Sequence, residues 1–95
     1  MNKLIEMELW IEDVINVQDF IEFYHNMIQK DINFLLPFQK EIEKYQNCNK
    51  TTNLEFIIST EKDWINYEDE LLVLSKKFPN NLFTLVYTGT ERFNC

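Results

Sequence analysis

The chain has 95 residues, enough for one hydrophobic core and too few for two. With 45% hydrophobic and 15% aromatic residues against one Gly and two Pro, its composition is that of a folded domain and excludes a disordered segment. A net charge of −7, with 16 acidic residues against 9 basic ones, excludes the cationic footprint that direct nucleic-acid binding requires and favours a basic partner surface instead.

Near the N-terminus, Ile5, Met7, Leu9 and Ile11 alternate with Glu6, Glu8, Trp10 and Glu12. This period of two predicts a strand over 4–12 with its Ile/Met/Leu side inward. Asn16 then serves as a helix N-cap with Asp19 three residues on. Val17, Phe20, Ile21, Tyr24, Met27 and Ile28 recur at three- and four-residue steps and build one apolar helix face. Pro37 disfavours helix at Leu36 and suits the start of a short helix carrying Phe38, Ile42 and Tyr45 on one side. "NCNKTTN" reads as a turn or a short polar edge strand around residues 47–52. Residues 54–60, "LEFIIST", a β-branched and aromatic run, predict a second strand. "NYEDELLVLSKKF" predicts a second long helix, with Asn66 as its cap. Glu68, Asp69 and Glu70 in its first turn and Lys76 and Lys77 in its last complement the helix dipole. Pro79 ends this helix, and residues 82–88, "LFTLVYT", form another strand. The expected fold class is α+β: a ferredoxin-like split βαβ in the order βαββαβ, a single domain over 1–95. Two main helices would cover one face of an antiparallel sheet and leave the other face open.

No apolar run approaches the roughly 20 residues of a membrane span. Met1-Asn2-Lys3-Leu4 lacks the apolar segment of a signal peptide. Cys48 and Cys95 form neither a CxxC pair nor a disulfide framework. A cytoplasmic, reduced protein is therefore expected, with no membrane partner.

The second half resembles the YubB-type ferredoxin-like domains. There a strand, a helix ending in a Leu-Ser-x-x-Phe-Pro phrase and a Phe-Thr-Leu-x-Tyr strand follow in that order. Here the phrases are Leu74-Ser75-Lys76-Lys77-Phe78-Pro79 and Phe83-Thr84-Leu85-Val86-Tyr87. "INFLLPF", residues 32–38, resembles more loosely that family's Phe- and Pro-bearing stretch after the first helix. The family's aromatic, Gly-containing segment before the central strand is here "NCNKTTN", and its usual further strand is here reduced to "ERFNC". The resemblance implies a setting in plasmids, phages or other mobile elements, with no defined reaction.

Candidate chemistry is sparse. A Cys48–His25 nucleophile pair has the right residue types but no cysteine-enzyme signature around it. "EKDWINYEDE" supplies acids without the glycine of a calcium loop, and helix capping accounts for them. Phosphate-cradling loops need glycines, and Gly89 is the only one. No catalytic residue, cofactor or metal is expected, and no enzyme.

What remains is acid interleaved with aromatics at positions expected to be exposed. Glu6, Glu8, Trp10 and Glu12 share one strand face, followed by Asp13, Asp19 and Glu22. Residues 1–24 hold six acids against Lys3, a local net of −5. A second group comprises Glu61, Asp63, Trp64, Tyr67, Glu68 and Asp69. Aromatics dominate protein-binding hot spots, whereas carboxylates set steering and register. The expectation is a non-enzymatic binding or inhibitor protein of a mobile element. It would dock on a basic protein surface, such as the nucleic-acid channel of an RNA-guided CRISPR nuclease, as small acidic anti-CRISPR proteins do. The alternatives are an immunity protein or antitoxin for a cognate toxin, and a housekeeping homodimer formed sheet to sheet.

Overall fold

The computed structural model describes residues 4–87 and the backbone of 92–94, so Gly89 and Cys95 lie outside the described residues. Strands β1 (Ile5–Asn16), β2 (Thr51–Thr60), β3 (Leu82–Tyr87) and β4 (Arg92–Asn94) form an antiparallel sheet in the order β2-β1-β3-β4. Helices α1 (Val17–Lys30), α2 (Gln39–Glu43) and α3 (Tyr67–Lys77) complete the domain, with a 3-10 turn, Leu36–Phe38, leading into α2. The fold is α+β, and its order β-α-(α)-β-α-β is consistent with a ferredoxin-like arrangement.

The alternation in β1 sorts its side chains as expected. Met7, Leu9 and Ile11 are fully buried in one core with Phe20, Ile21 and Tyr24 of α1, Leu71 and Leu74 of α3, Leu54 and Phe56 of β2, and Phe83 and Leu85 of β3. The Asn16 cap is present: its Oδ1 accepts the Asp19 amide at 3.0 Å. Aromatic edge-to-face contacts knit the layer between helices and sheet. Phe23 meets Phe34 and Phe78 at 6.2 and 5.7 Å, and Tyr45 meets Phe56 at 5.5 Å.

Three expectations need correction. No separate strand forms around residues 47–52. Thr51 and Thr52 pair with Asn16 and Ile15 and so belong to the same strand as 54–60. The residues before them are spent winding down α2, through Tyr45 N–H to Ile42 and Cys48 N–H to Tyr45. Gln18 then anchors the turn, its Nε2 donating to the carbonyls of Gln46 and Cys48 at 3.1 and 2.7 Å. Asn66 precedes α3 but gives no side-chain cap; only its carbonyl accepts, from Glu70 N–H at 3.1 Å.

Glu70 is the third. Rather than a surface charge at a helix end, it is 8% exposed. Its Oε1 accepts the Leu35 amide at 2.6 Å and the Trp64 indole N–H at 2.9 Å. Leu35 holds a left-handed backbone (φ 53, ψ 35), a conformation that costs roughly 1–2 kcal/mol for a residue with a Cβ. The Glu70 bond meets the amide this turn would otherwise leave buried without a partner. Burial raises the Glu70 carboxyl above its ordinary value of 4.5; the two hydrogen bonds oppose the rise, and the Asp31 and Asp69 carboxylates add to it.

Glu70→Ala should destabilise the domain by about 1–3 kcal/mol for each of the two orphaned donors, read from urea unfolding. Because the folded-state pKa is raised, Glu70 favours folding most below 4.5, and this contribution fades as pH rises through the folded value. Glu70→Gln keeps an acceptor and removes the charge. It should exceed the parent in stability near about pH 7 and lose that advantage toward about pH 4.

A β-bulge interrupts the β1–β2 register between Ile11 and Ile15, with Asp13 and Val14 at φ 67 and 43. Asn53 Oδ1 accepts the Val14 amide at 2.9 Å. Asn81 Nδ2 donates to the Glu12 and Val14 carbonyls at 2.9 and 3.1 Å. Positive φ strains a β-branched residue, and the Val14 side chain is 56% exposed. Val14→Gly should therefore raise the melting temperature, by an amount equivalent to about 0.5–1 kcal/mol.

Candidate functional site

Since α1, α2 and α3 all pack on the Met7/Leu9/Ile11 side, the opposite face of the sheet is left to the alternate side chains. Glu6, Glu8, Trp10 and Glu12 come from β1. The register sets Trp10 beside Glu55 of β2 and Thr84 of β3, Glu8 beside Ile57 and Val86, and Glu12 beside Leu82. Glu6 and Glu55 are exposed; Glu8, Trp10 and Glu12 are half-buried. Among the residues whose side chains are described, this face carries no Lys or Arg. The Lys44–Glu41 ion pair (3.1 Å) and the His25–Glu43 contact (3.6 Å) lie on the helical side.

Trp10 sits at the centre. Its indole N–H donates to Glu8 Oε1 at 3.1 Å, which holds the ring against the strand. A shallow cavity of about 270 Å³ opens beside it, lined by Trp10, Glu12, Asn53, Leu54 and Glu55. That is too small for a cofactor, but it suits one long cationic side chain, whose head would meet two carboxylates and an aromatic ring. Carboxylates two residues apart on a strand stand about 7 Å apart. Their mutual repulsion in water is about 0.6 kcal/mol. The fold tolerates that easily, yet several such charges on one face add to a field that a basic surface would neutralise.

The expected first group therefore splits. Glu6, Glu8, Trp10 and Glu12 come together on the open face, while Asp13 sits in the bulge at the end of β1. Asp19 and Glu22 are exposed on α1, on the other side of the core. The second group divides as well. Glu61, Asp63, Glu68 and Asp69 are exposed, and Tyr67 is half-buried with its hydroxyl donating to Glu68 at 3.0 Å. Asp63 Oδ1 accepts the Trp64 amide and the Tyr87 hydroxyl at 2.8 and 3.0 Å, a structural duty. Trp64 was expected on the surface and is instead 2% exposed, packed edge-on against Phe38 at 5.4 Å. A domain this small needs its large aromatics for core.

Glu55 was missed. Leu54, Phe56 and Ile58 alternate with it just as the β1 residues do, so its outward direction was readable. Its place beside Trp10 depends on the cross-strand register.

His25 faces Glu43 and makes no hydrogen bond to Cys48, a half-buried free thiol packed against the core. The neighbouring Tyr24 phenol is pushed up to about 12 by burial, reinforced by the charge of Glu43 and a hydrogen bond to it. Among the described residues, no group of three or more His, Cys, Asp or Glu could hold a metal ion. No helix among them is long and apolar enough to cross a membrane.

The two tryptophans should separate cleanly in fluorescence. With Trp64→Phe, the remaining Trp10 emission should be quenched readily by acrylamide; with Trp10→Phe, the remaining Trp64 emission should resist it. Trp64→Ala should cost about 3–5 kcal/mol of stability and Trp10→Ala about 1 kcal/mol. No family model, curated protein or solved structure matches the chain.

Proposed function

We propose that this chain is a non-enzymatic binding protein that presses its open, acidic sheet face onto a basic protein surface in the cytoplasm. The carrying observation is the acid-walled cavity beside Trp10. Glu12 and Glu55 flank it, Glu8 orients the ring, and among the described residues no helix covers that side. Trp10 would act as the anchor that excludes water, and the carboxylates would steer association and fix register. Face-to-face pairing of two copies would set these carboxylates against one another, which disfavours a sheet-to-sheet homodimer.

The partner class that fits is a protein whose own ligand is a polyanion, because an anionic face can occupy a cationic channel in its place. Together with the resemblance to domains of mobile elements, this points to inhibition of a host defence nuclease, in the manner of small acidic anti-CRISPR proteins. An immunity protein facing a basic toxin would use the same charges on another target.

The test is target-DNA cleavage by a panel of guide-loaded CRISPR nucleases with and without the protein. Inhibition is expected for at least one. It should be lost in the triple variant Glu8→Lys, Glu12→Lys, Glu55→Lys and weakened as salt approaches about 0.5 M, where exposed charges are screened within a few ångströms. Inhibition that survives both the charge reversal and the salt would sink the electrostatic docking idea.

A further inference from the structure

The sheet has a second opening. Among the described residues β2 pairs with β1 alone, so Thr51–Thr60 is an edge strand of ten residues. Among the described residues, no loop or helix backbone hydrogen bond reaches the far side of Thr52–Thr60. Proteins usually blunt such an edge with Lys, Pro or a bulge, because its unpaired amides and carbonyls template another strand. β2 has none of these. It holds no Lys or Pro and a single charge, Glu55, and at the bulge the extra residues belong to β1.

The edge is also spacious. A groove of about 440 Å³ runs between it and the start of α2, with Leu36, Pro37, Gln39, Lys40 and Glu41 on one wall and Ile57–Thr60 and Lys62 on the other. Ile58 points to the core side, as Leu54 and Phe56 do, yet stays half-exposed because the groove opens beside it. Ile57, on the outer side, is 60% exposed.

We infer that β2 is a strand-addition site, and that its occupant is an extended segment of the basic partner, alternating Lys or Arg with apolar residues. This rests on the acidic-face reading above and supplies its geometry. A strand laid along β2 takes its main-chain hydrogen bonds from the open edge, about 4.8 Å away. Its outward side chains fall beside Glu55 and Ile57 and continue the acidic face, where cations are favoured. Its inward side chains enter the groove over Leu36, Pro37 and Ile58, the apolar part of its lining, where apolar groups are favoured. A second copy of this chain fits the edge poorly. Two copies would add −7 to −7 along one continuous sheet and bring their Glu8, Glu12 and Glu55 faces side by side.

The test uses the wild-type protein, isotope-labelled for amide NMR, and peptides of about ten residues, the length of a long strand. One peptide alternates Lys with Val and a second alternates Glu with Val. Two more carry the Lys-Val sequence with N-methyl groups on one or the other alternate set of residues. An added strand pairs through only one of its edges. One N-methyl peptide should therefore lose about tenfold or more in affinity while the other keeps it, and β2 amides should gain exchange protection. The Glu-Val peptide should bind at least about tenfold more weakly than its Lys-Val counterpart.

Equal binding by both N-methyl peptides and their parent, or no protection of β2 amides by any peptide, overturns strand addition. If the Lys-Val preference persists in that case, the acidic-face reading stands. Equal binding of Glu-Val and Lys-Val with the N-methyl asymmetry intact overturns the cationic occupant and leaves the edge. A dimer by light scattering, with the outward-facing β2 amides (those not bonded to β1) protected before any peptide is added, assigns the edge to a second copy instead.

Discussion

One carboxylate oxygen, Glu70 Oε1, ties the first turn of α3 and the indole of Trp64 just before it to the left-handed turn at Leu35, 35 residues away. The chain leaving α1 must reverse at Leu35 to send Phe34, Leu35 and Phe38 into the core and to start α2 at the edge of the sheet. A reversal through positive φ by a leucine is unfavourable unless its buried amide is satisfied. The same oxygen meets the polar end of a tryptophan that is otherwise sealed among aromatics. A buried carboxylate with two good donors is a strong constraint, and one left without them is a large cost. The position of α2, and with it the wall of the groove beside β2, follows from this contact.

With α1, α2 and α3 all drawn to one side of a four-stranded sheet, the other side carries whatever the strand pattern puts there. In two-layer domains the solvent face of an antiparallel sheet is polar. Here it places Glu8, Glu12 and Glu55 around an indole, with Glu6 farther along β1. The bulge at Asp13 and Val14 bends β1 just past this group, and Asn53 and Asn81 hold it from the neighbouring segments. Backbone held in a sparsely populated region, on the strand that presents the candidate face, is where fixed geometry has been kept at some expense of stability.

How much of this was legible in the sequence depends on the range of the interactions. The β1 strand as far as Glu12, the α1 stripe from Val17 to Ile28 and the Asn16 cap are written in local periods and neighbours and form as read, whereas the continuation of β1 past its bulge to Asn16 is not. The two halves of the βαβ plan were likewise visible from LEFIIST and LFTLVYT. Glu70 was misassigned because its neighbours Glu68 and Asp69 made a sufficient local story. Its spacing, three residues after Tyr67 and four before Leu74, places it on the inward stripe of α3, and that was the available signal. Trp64 gave no such clue, because burial of an aromatic in a connection is decided by what packs over it. The bulge needed Asn53 and Asn81, both remote in sequence. The strand expected at 47–52 failed because pairing with Ile15 and Asn16 claims Thr51 and Thr52 for β2.

That last correction bears on function. A split βαβ sheet has room for a strand beside the one that here forms β2, and in this chain the segment expected to fill it is spent on ending α2 and starting β2. The edge is left long and regular, with no lysine or proline within β2 itself, beside the face of the sheet that carries Glu8, Glu12 and Glu55. Either property alone has ordinary explanations, since acidic surfaces aid solubility and many small sheets tolerate a free edge. Their adjacency is more informative. A strand arriving at β2 would bring half its side chains next to Glu55 and the other half next to Ile58, so a single alternating segment could satisfy the backbone, the charge and the half-exposed Ile58 at once. A partner meeting only the flat face would leave the edge unused, and one meeting only the edge would have no use for the charge.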